Sequence, residues 1–176
     1  MIRFVAGVYG NFYVRMGRHK LPIITKEDGS PLYNEKYQYE YGKTDLIRDG
    51  ADITIAASGS LVTEALKARE AILKENPNAS IAVVAVSSIK KFDKTLMNSI
   101  RKTGKVITVE DHNPHSGLGA TLAKALMEQK IEVKSYKTLG VTRYQLSGKP
   151  EELYASAGIS WEYIKNAIVS SCYIKF

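Results

Sequence analysis

The stretch DITIAASGS, residues 52–60, decides the fold. Its first part, residues 52–57, is a short apolar run that ends in a Ser-Gly-Ser sequence. This order is typical of a buried parallel strand that leads directly into a helix. The apolar spacing from Leu61 onward predicts that helix, and Pro77, which stands between two asparagines, predicts where it ends.

The same alternation continues outward from this stretch. Further strands are predicted at residues 81–86, 106–109 and 131–136. Further helices are predicted from an Asp93 N-cap to just before Gly104, over residues 116–129, from Pro150 to Gly158, and after a Ser160 N-cap. Strands and helices that alternate with short connections predict an α/β fold, in three layers, with a mostly parallel sheet between helices on both faces.

Residues 1–38, called the N-terminal arm below, do not follow this rhythm, whereas from about Tyr39 the chain reads as one α/β domain. Residues 1–7 can be the end of a helix, and residues 12–16 have strand character. A strand without a predicted neighbour is expected to pair elsewhere, in this chain or in another. The arm is therefore interpreted as a segment that leaves one domain and leads into the next.

The composition excludes several classes of protein. The 176 residues suffice for one domain with a sizeable core, and the apolar (44%) and charged (24%) fractions are ordinary for a globular protein. No apolar run is long enough to cross a bilayer, and no secretory signal is expected. Cys172 is the single cysteine, so a reducing, cytoplasmic location is expected. The basic residues behind the net charge of +7 are scattered, which favours a solvated surface over nucleic-acid binding.

Two glycine-containing turns are candidates for anion binding. The Ser-Gly-Ser sequence at 58–60 can present backbone N–H groups to an anion, but capping of the helix by a serine hydroxyl is the preferred interpretation. The Gly-Leu-Gly-Ala sequence at 117–120 is a poor dinucleotide fingerprint, because Leu122 stands where the third glycine belongs. Close packing of a helix on the sheet is preferred there.

The cluster richest in titratable side chains follows the third predicted strand directly and consists of Glu110, Asp111, His112 and His115. Carboxylates and imidazoles can bind a metal or share a proton. Their spacing matches no ligand pattern, and Pro114 stands among them. A hydrogen-bonded structural loop or a subunit contact is therefore preferred over a metal site.

Several stretches, taken in order, resemble the C-terminal portion of the transketolase family. They are FYVRMGRHKLP (12–22), GKTDLIRDGADITIAASGS (42–60), TVEDHN with SGLGA (108–113 and 116–120), and VTRYQLSGKPEEL with GIS (141–153 and 158–160). The sequence departs from the family's closing signature at residues 142–145. The resemblance implies that residues 1–38 are the last strand of a pyrimidine-binding domain plus a linker, and residues 39–176 a transketolase C-terminal domain.

The resemblance also implies an activity for the complete assembly. Transketolases transfer a two-carbon ketol unit between phosphorylated sugars in the pentose phosphate pathway, with thiamine diphosphate and Mg²⁺. The family's Gly-Asp-Gly metal motif and its cofactor-activating glutamate do not occur in this sequence, so the chain alone is expected to bind neither group and to be inactive. The expected partners are chains with the diphosphate-binding and pyrimidine-binding domains, a second copy of this chain, and phosphorylated sugars, but neither nucleic acid nor a membrane.

Arg18 is the residue to which the resemblance gives a role. It stands where a family arginine contacts the sugar phosphate, and a guanidinium suits that task because it offers a charged fork of donors. Arg15 and His112 are secondary candidates, and Arg15 can also be structural. No residue of this chain is expected to be catalytic.

Two alternatives stay open. One is the C-terminal domain of a related thiamine enzyme, a 1-deoxyxylulose-5-phosphate synthase or a 2-oxoacid dehydrogenase beta subunit. The Arg-His-Lys-Leu-Pro sequence at 18–22 favours transketolase. The other alternative is a non-catalytic assembly or dimerisation module.

Overall fold

The computed structural model describes residues 1–172. Its elements, in chain order, are α1 (Ile2–Ala6), β1 (Thr44–Arg48), β2 (Ile53–Ala57), α2 (Leu61–Glu75), β3 (Ile81–Val86), α3 (Lys94–Thr103), β4 (Lys105–Val109), α4 (Leu118–Glu128), β5 (Ser135–Leu139), α5 (Pro150–Ala157) and α6 (Trp161–Cys172). No helix within the described residues is long and apolar enough to cross a membrane.

The strands form one five-stranded sheet in the order β1-β3-β2-β4-β5. β2 lies at the centre, where Ile55 pairs with Val83 of β3 on one side and with Ile107 of β4 on the other, both in parallel. β1 is an antiparallel edge strand beside β3. The predicted α/β class and the mostly parallel sheet are confirmed.

Two hydrophobic cores cover the two faces of the sheet. Because side chains alternate along a strand, Ile55 points into one core and Ala56 into the other. The first core packs the sheet against α2, α5 and α6, and the second packs it against α3 and α4. The molecule therefore has the predicted three layers, with helices on both faces.

The helix ends follow the capping residues closely. Asp93 caps α3, since its carboxylate accepts a hydrogen bond from the Leu96 N–H, and Gly104 ends the same helix in the left-handed conformation at φ +63°. Gly158 ends α5 in the same way at φ +73°. Ser160 lies at the predicted start of α6, but its hydroxyl donates to Glu162 at 2.6 Å.

The strand predictions failed at β5, whose bounds were wrong, and at β1, which was not predicted. The strand expected at residues 131–136 begins only at Ser135, because the Ile131 N–H is still bonded to the Leu126 carbonyl and the Lys134 N–H to the Gly104 carbonyl. The β1 strand was not predicted. It is an edge strand, and its burial is incomplete, so it lacks the long apolar run that marked β2 and β3.

The N-terminal arm contains the predicted helix end but no strand at residues 12–16. Within the described chain these residues pair with no other strand, so their predicted pairing with another chain stays a prediction. Further along, the arm follows the edge of the domain. Tyr33 and Tyr37 both donate to the Asp45 carboxylate of β1, at 3.2 and 2.7 Å.

Candidate functional site

The carboxyl edge of the sheet, next to β2 and β4, is where this topology places a site. From β2 the chain moves outward to β3, and it later returns to the opposite side of β2 to form β4. Such a reversal leaves a crevice outside the carboxyl ends of the two strands, which is the usual ligand position in open α/β sheets. The turns that line it here are residues 58–60 and 110–116.

Glu110, the first residue after β4, has a structural role. Its side chain is buried, with 2% exposure, and its two carboxylate oxygens accept the N–H groups of Leu118 and Gly119 at 2.7 and 2.8 Å. The carboxylate thus satisfies the free donors at the start of α4 and complements the helix dipole. The preferred interpretation, a hydrogen-bonded structural loop, is what the structure shows for this residue.

Both glycines of the 117–120 sequence stand where a side chain would collide. A Cβ atom at Gly117 would lie 1.8 Å from a carboxylate oxygen of Glu110, and one at Gly119 would lie 2.7 Å from Thr138 of β5. These glycines let α4 approach the carboxylate and the sheet closely. The interpretation of close packing is confirmed.

The predicted capping of α2 by a serine hydroxyl at residues 58–60 is wrong. Ser60 occupies the N-cap position of α2, but its side chain makes no capping hydrogen bond. Instead the backbone carbonyls of Ser58 and Gly59 accept the first N–H groups of the helix. The Ser60 hydroxyl accepts a hydrogen bond from the Tyr154 hydroxyl at 2.7 Å, so this serine joins α2 to α5.

The N-terminal arm docks on this edge through two contacts. The Arg15 guanidinium donates to the Asp111 backbone carbonyl and forms an ion pair with the Asp111 carboxylate at 3.3 Å. Nε2 of His19 lies 3.3 Å from the Tyr154 hydroxyl, and the two rings meet edge to face, with centroids 6.1 Å apart. Arg15 and His19 thus fix the arm on either side of Arg18.

Arg18 itself is exposed, and within residues 1–172 its guanidinium makes no hydrogen bond or ion pair. His112 is also exposed, and its backbone carbonyl accepts the Val141 N–H at 2.9 Å. Of the residues singled out in the sequence, the structure brings Arg15 and Asp111 together. Arg18 and His112 are both exposed, and the His112 ring lies beside Gly117, where an added Cβ atom would be 2.9 Å from the ring Cδ2.

Sequence reasoning missed Tyr154 and its partners. Burial raises the pKa of the Tyr154 hydroxyl, which stays protonated and able to donate at neutral pH. The one feature of the sequence that could have indicated Tyr154 is that it is a tyrosine within a short helix whose other residues are mostly small or charged. A large aromatic ring in such a helix indicates its inward face, but its partners cannot be inferred from spacing.

The described residues do not form a site for a diphosphate with a divalent cation. Within residues 1–172 no three His, Cys, Asp or Glu side chains come together as a metal site. Mg²⁺ beside a diphosphate usually needs only one or two protein carboxylates, together with phosphate oxygens and water, so the carboxylates at the sheet edge decide whether such a site fits. The carboxylates at the sheet edge are engaged elsewhere, Glu110 by α4 and Asp111 by Arg15. The donor set present here does not fit thiamine diphosphate and its metal.

Comparisons with known proteins agree with the fold. Residues 42–164 match the family model for the transketolase C-terminal domain. A Methanocaldococcus jannaschii protein named as a putative transketolase C-terminal section is 35% identical over 96% of this chain and 50% of its own length. One of the subunits of an apulose-4-phosphate transketolase from Phocaeicola vulgatus is 30% identical over 86% of this chain and 46% of its own length.

A solved split-gene transketolase, described as an inactive tetramer, superposes on 99% of this chain and 54% of its own with a TM-score of 0.83 and 27% identity. A 1-deoxy-D-xylulose-5-phosphate synthase from Clostridium perfringens is 35% identical over 74% of this chain and 21% of its own length. The chain spans about half the length of the M. jannaschii and P. vulgatus relatives. The family match covers most of the chain, and the chain therefore belongs to the transketolase family, whose C-terminal domain it contains.

Proposed function

We propose that the chain is part of a thiamine-diphosphate-dependent transketolase that transfers a two-carbon ketol unit between phosphorylated sugars. Residues 39–176 would be its C-terminal domain, and residues 1–38 the end of the pyrimidine-binding domain with a linker. The observation that carries the proposal is Arg18. It is an exposed, unpaired guanidinium on a segment that the structure fixes at the carboxyl edge of the sheet.

The proposed task of Arg18 is to bind the phosphate of the sugar. A guanidinium stays charged at neutral pH and can donate two parallel hydrogen bonds to phosphate oxygens. Arg15 lacks this freedom, because the Asp111 carboxylate already neutralises it. Among the candidates on the arm, Arg18 is therefore the better phosphate ligand, while Arg15 is a structural contact.

Thiamine diphosphate and Mg²⁺ would be held by domains outside the described residues, on the same polypeptide or on others. The surface of the arm supports a partner of this kind. Several large apolar side chains near its start are more than 70% exposed, namely Tyr9, Tyr13, Met16 and Ile23. Several exposed large apolar side chains on one short segment favour an interface. The split-gene relative is described as a tetramer, which supports contacts between copies of this chain.

The test is to co-express the chain with polypeptides that carry the two other domains and to measure ketol transfer. Arg18→Ala should raise KM for phosphorylated substrates by about 10- to 100-fold, the range of a hydrogen bond to a charged group, with little change in kcat. Lys20→Ala is the matched control, since Lys20 is an exposed cation on the same segment. An unchanged KM in Arg18→Ala would remove the proposed role, and a lack of activity with every partner would favour a non-catalytic assembly module.

The C. perfringens relative gives a second candidate some support, since it is 35% identical over 131 residues and is named 1-deoxy-D-xylulose-5-phosphate synthase. The same co-expressed assembly can be assayed for formation of that product. Product formation without ketol transfer between sugars would replace the first proposal with the second.

A further inference from the structure

The N-terminal arm of this chain contacts the sheet edge at two points. Arg15 reaches the turn after β4, and His19 reaches Tyr154 beside the turn after β2. The residues that stand between these contacts include Arg18. The carboxyl edge of the sheet, which usually binds a ligand in this topology, here contacts a segment of the arm.

We propose that Tyr154 is a positioning residue: its hydroxyl, bonded to both Ser60 and His19, holds the arm on the sheet edge and so presents Arg18 in one orientation. This inference deepens the proposed function and rests on it for the identity of the phosphate ligand. The docking itself does not depend on that identity.

Tyr154 suits this role because it belongs to the core and to the arm contact at once. It is 9% exposed and packs in the core with α2 and α6, so the position of its ring is fixed. A phenol hydroxyl has one proton to donate and lone pairs to accept, and it can bond two partners together. The Ser60 hydroxyl, at 2.7 Å, and His19 Nε2, at 3.3 Å, are those two partners.

The ion pair between Arg15 and Asp111, at the other contact of the arm, contributes little by itself. The Arg15 and Asp111 side chains are 56% and 41% exposed, and ion pairs with this exposure contribute little and are screened by salt. Tyr154 and His19 are less exposed, and their rings also pack against each other. At moderate ionic strength the Arg15 side of the docking therefore rests on its hydrogen bond to the Asp111 backbone carbonyl, and the Tyr154 hydroxyl should hold the other side of the arm.

The first test uses the chain by itself. Trypsin cleavage after Arg18 is followed by mass spectrometry in wild type, in Tyr154→Phe, which keeps the ring and removes the hydroxyl, and in Tyr144→Phe, whose tyrosine is fully exposed. Tyr154→Phe should be cleaved about fivefold faster, the population change expected from one hydrogen bond, and Tyr144→Phe at the wild-type rate. Cleavage after Lys90, in an exposed loop elsewhere, should be the same in all three.

Equal cleavage after Arg18 in wild type and Tyr154→Phe would overturn the inference. If Tyr154→Phe also accelerates cleavage after Lys90, the domain has been loosened as a whole, and His19→Leu decides instead. His19 lies on the arm outside both cores, so its replacement removes the partner and leaves the domain intact. Faster cleavage after Arg18 in His19→Leu supports the docking, and an unchanged rate overturns it.

The second test uses the active assembly and separates positioning from packing. Tyr154→Phe should raise KM for a phosphorylated substrate several-fold, leave kcat near wild type, and have no effect on KM when Arg18 is already alanine. An equal effect in the Arg18→Ala background would show that Tyr154 acts by another route. Because the proteolysis test needs no partner or substrate, the docking can be confirmed even if the ketol-transfer proposal fails.

Discussion

Two buried glutamates, Glu64 and Glu110, show how single residues set the ends of helices in this domain. Glu110 accepts the first N–H groups of α4, and Glu64 of α2 accepts the Trp161 N–H at the start of α6 at 2.9 Å. Lys67 forms an ion pair with Glu64 at 2.6 Å, whereas Glu110 is balanced by the helix N-terminus. A carboxylate can remain buried in this way because it is hydrogen-bonded through both oxygens.

Glu110→Gln should destabilise the domain by about 2 kcal/mol. The glutamine has nearly the same shape, but it offers one accepting oxygen and turns an NH₂ donor towards an N–H donor of α4. The free energy of unfolding, determined by urea titration, measures the stability lost in Glu110→Gln. Glu128→Gln, at an exposed position of α4, is the control and should stay near wild type. Equal stabilities of the two variants would mean that the carboxylate does not support α4.

Gly117→Ala should be destabilising by about 2–3 kcal/mol, as for other overpacked sites. The new methyl group would lie 1.8 Å from the Glu110 carboxylate oxygen, and this oxygen is held in place by α4. Gly7→Ala is the matched control, because the nearest atom to its new Cβ would be 3.7 Å away. The midpoint of thermal unfolding should fall in the first variant only, and a wild-type midpoint for Gly117→Ala would show that the loop can move aside.

The sequence predicts the elements of this fold where a strand is buried on both faces. β2 and β3 are apolar almost throughout, and their side chains are buried at every position, so their patterns were unambiguous. β1 and β5 are edge strands with exposed positions. For β1 the pattern predicted no strand, and for β5 it placed the strand too early in the sequence. Edge strands take their bounds from the hydrogen bonds of the neighbouring strand, which local sequence does not contain.

The candidate site was predictable in part, and only through the resemblance. Arg18 was singled out by its position in a matching stretch, and its role stays a prediction. The contacts that fix the arm join residues that are far apart in the sequence, since Arg15 and Asp111 are separated by 96 positions and His19 and Tyr154 by 135. No periodicity links such pairs, and they follow only from the packed topology.

Asp93, the cap of α3, should make the stability of the domain depend on pH. Burial by itself would raise the pKa of this carboxyl, but hydrogen bonds from Thr44, Thr95 and the Leu96 N–H outweigh it and hold the pKa below its ordinary value. A lowered folded-state pKa gives stability that is present above the unfolded pKa and is lost as the pH falls through the folded one.

Asp93→Asn should therefore be less stable than wild type by about 1 kcal/mol at pH 6, and the difference should shrink below about pH 4. Urea unfolding at a series of pH values measures this difference in the free energy of unfolding. Glu132→Gln, at an exposed position, should show no comparable trend. A difference that stays constant down to about pH 3 would mean that the ionised form of Asp93 contributes nothing to the cap.

At the scale of the whole molecule, the hydrophobic cores and the N-terminal arm are separate parts of the chain. The two cores are built from residues 47–168, and the N-terminal arm adds only the partly buried Ile24 and Leu32. The rest of the arm carries exposed apolar side chains and a few polar contacts to the sheet edge. We therefore expect the domain to fold without the first part of the arm, and we expect that part to contact the proposed partner.

Removal of residues 1–22 should test this division directly. The truncated chain loses the Arg15–Asp111 ion pair, the His19–Tyr154 contact and the packing of Phe4 on Tyr39, which together contribute about 1–2 kcal/mol. It should keep a cooperative unfolding transition and the near-ultraviolet circular dichroism bands of Trp161, which lies in the retained domain, since both cores are intact. In co-expression the truncated chain should no longer capture the polypeptide with the pyrimidine-binding domain. The control variant Lys20→Ala, which keeps the whole arm, should still capture it. Loss of cooperative unfolding would show that the arm is part of the folding unit, and capture at the wild-type level would place the partner's contact on the domain rather than on the arm.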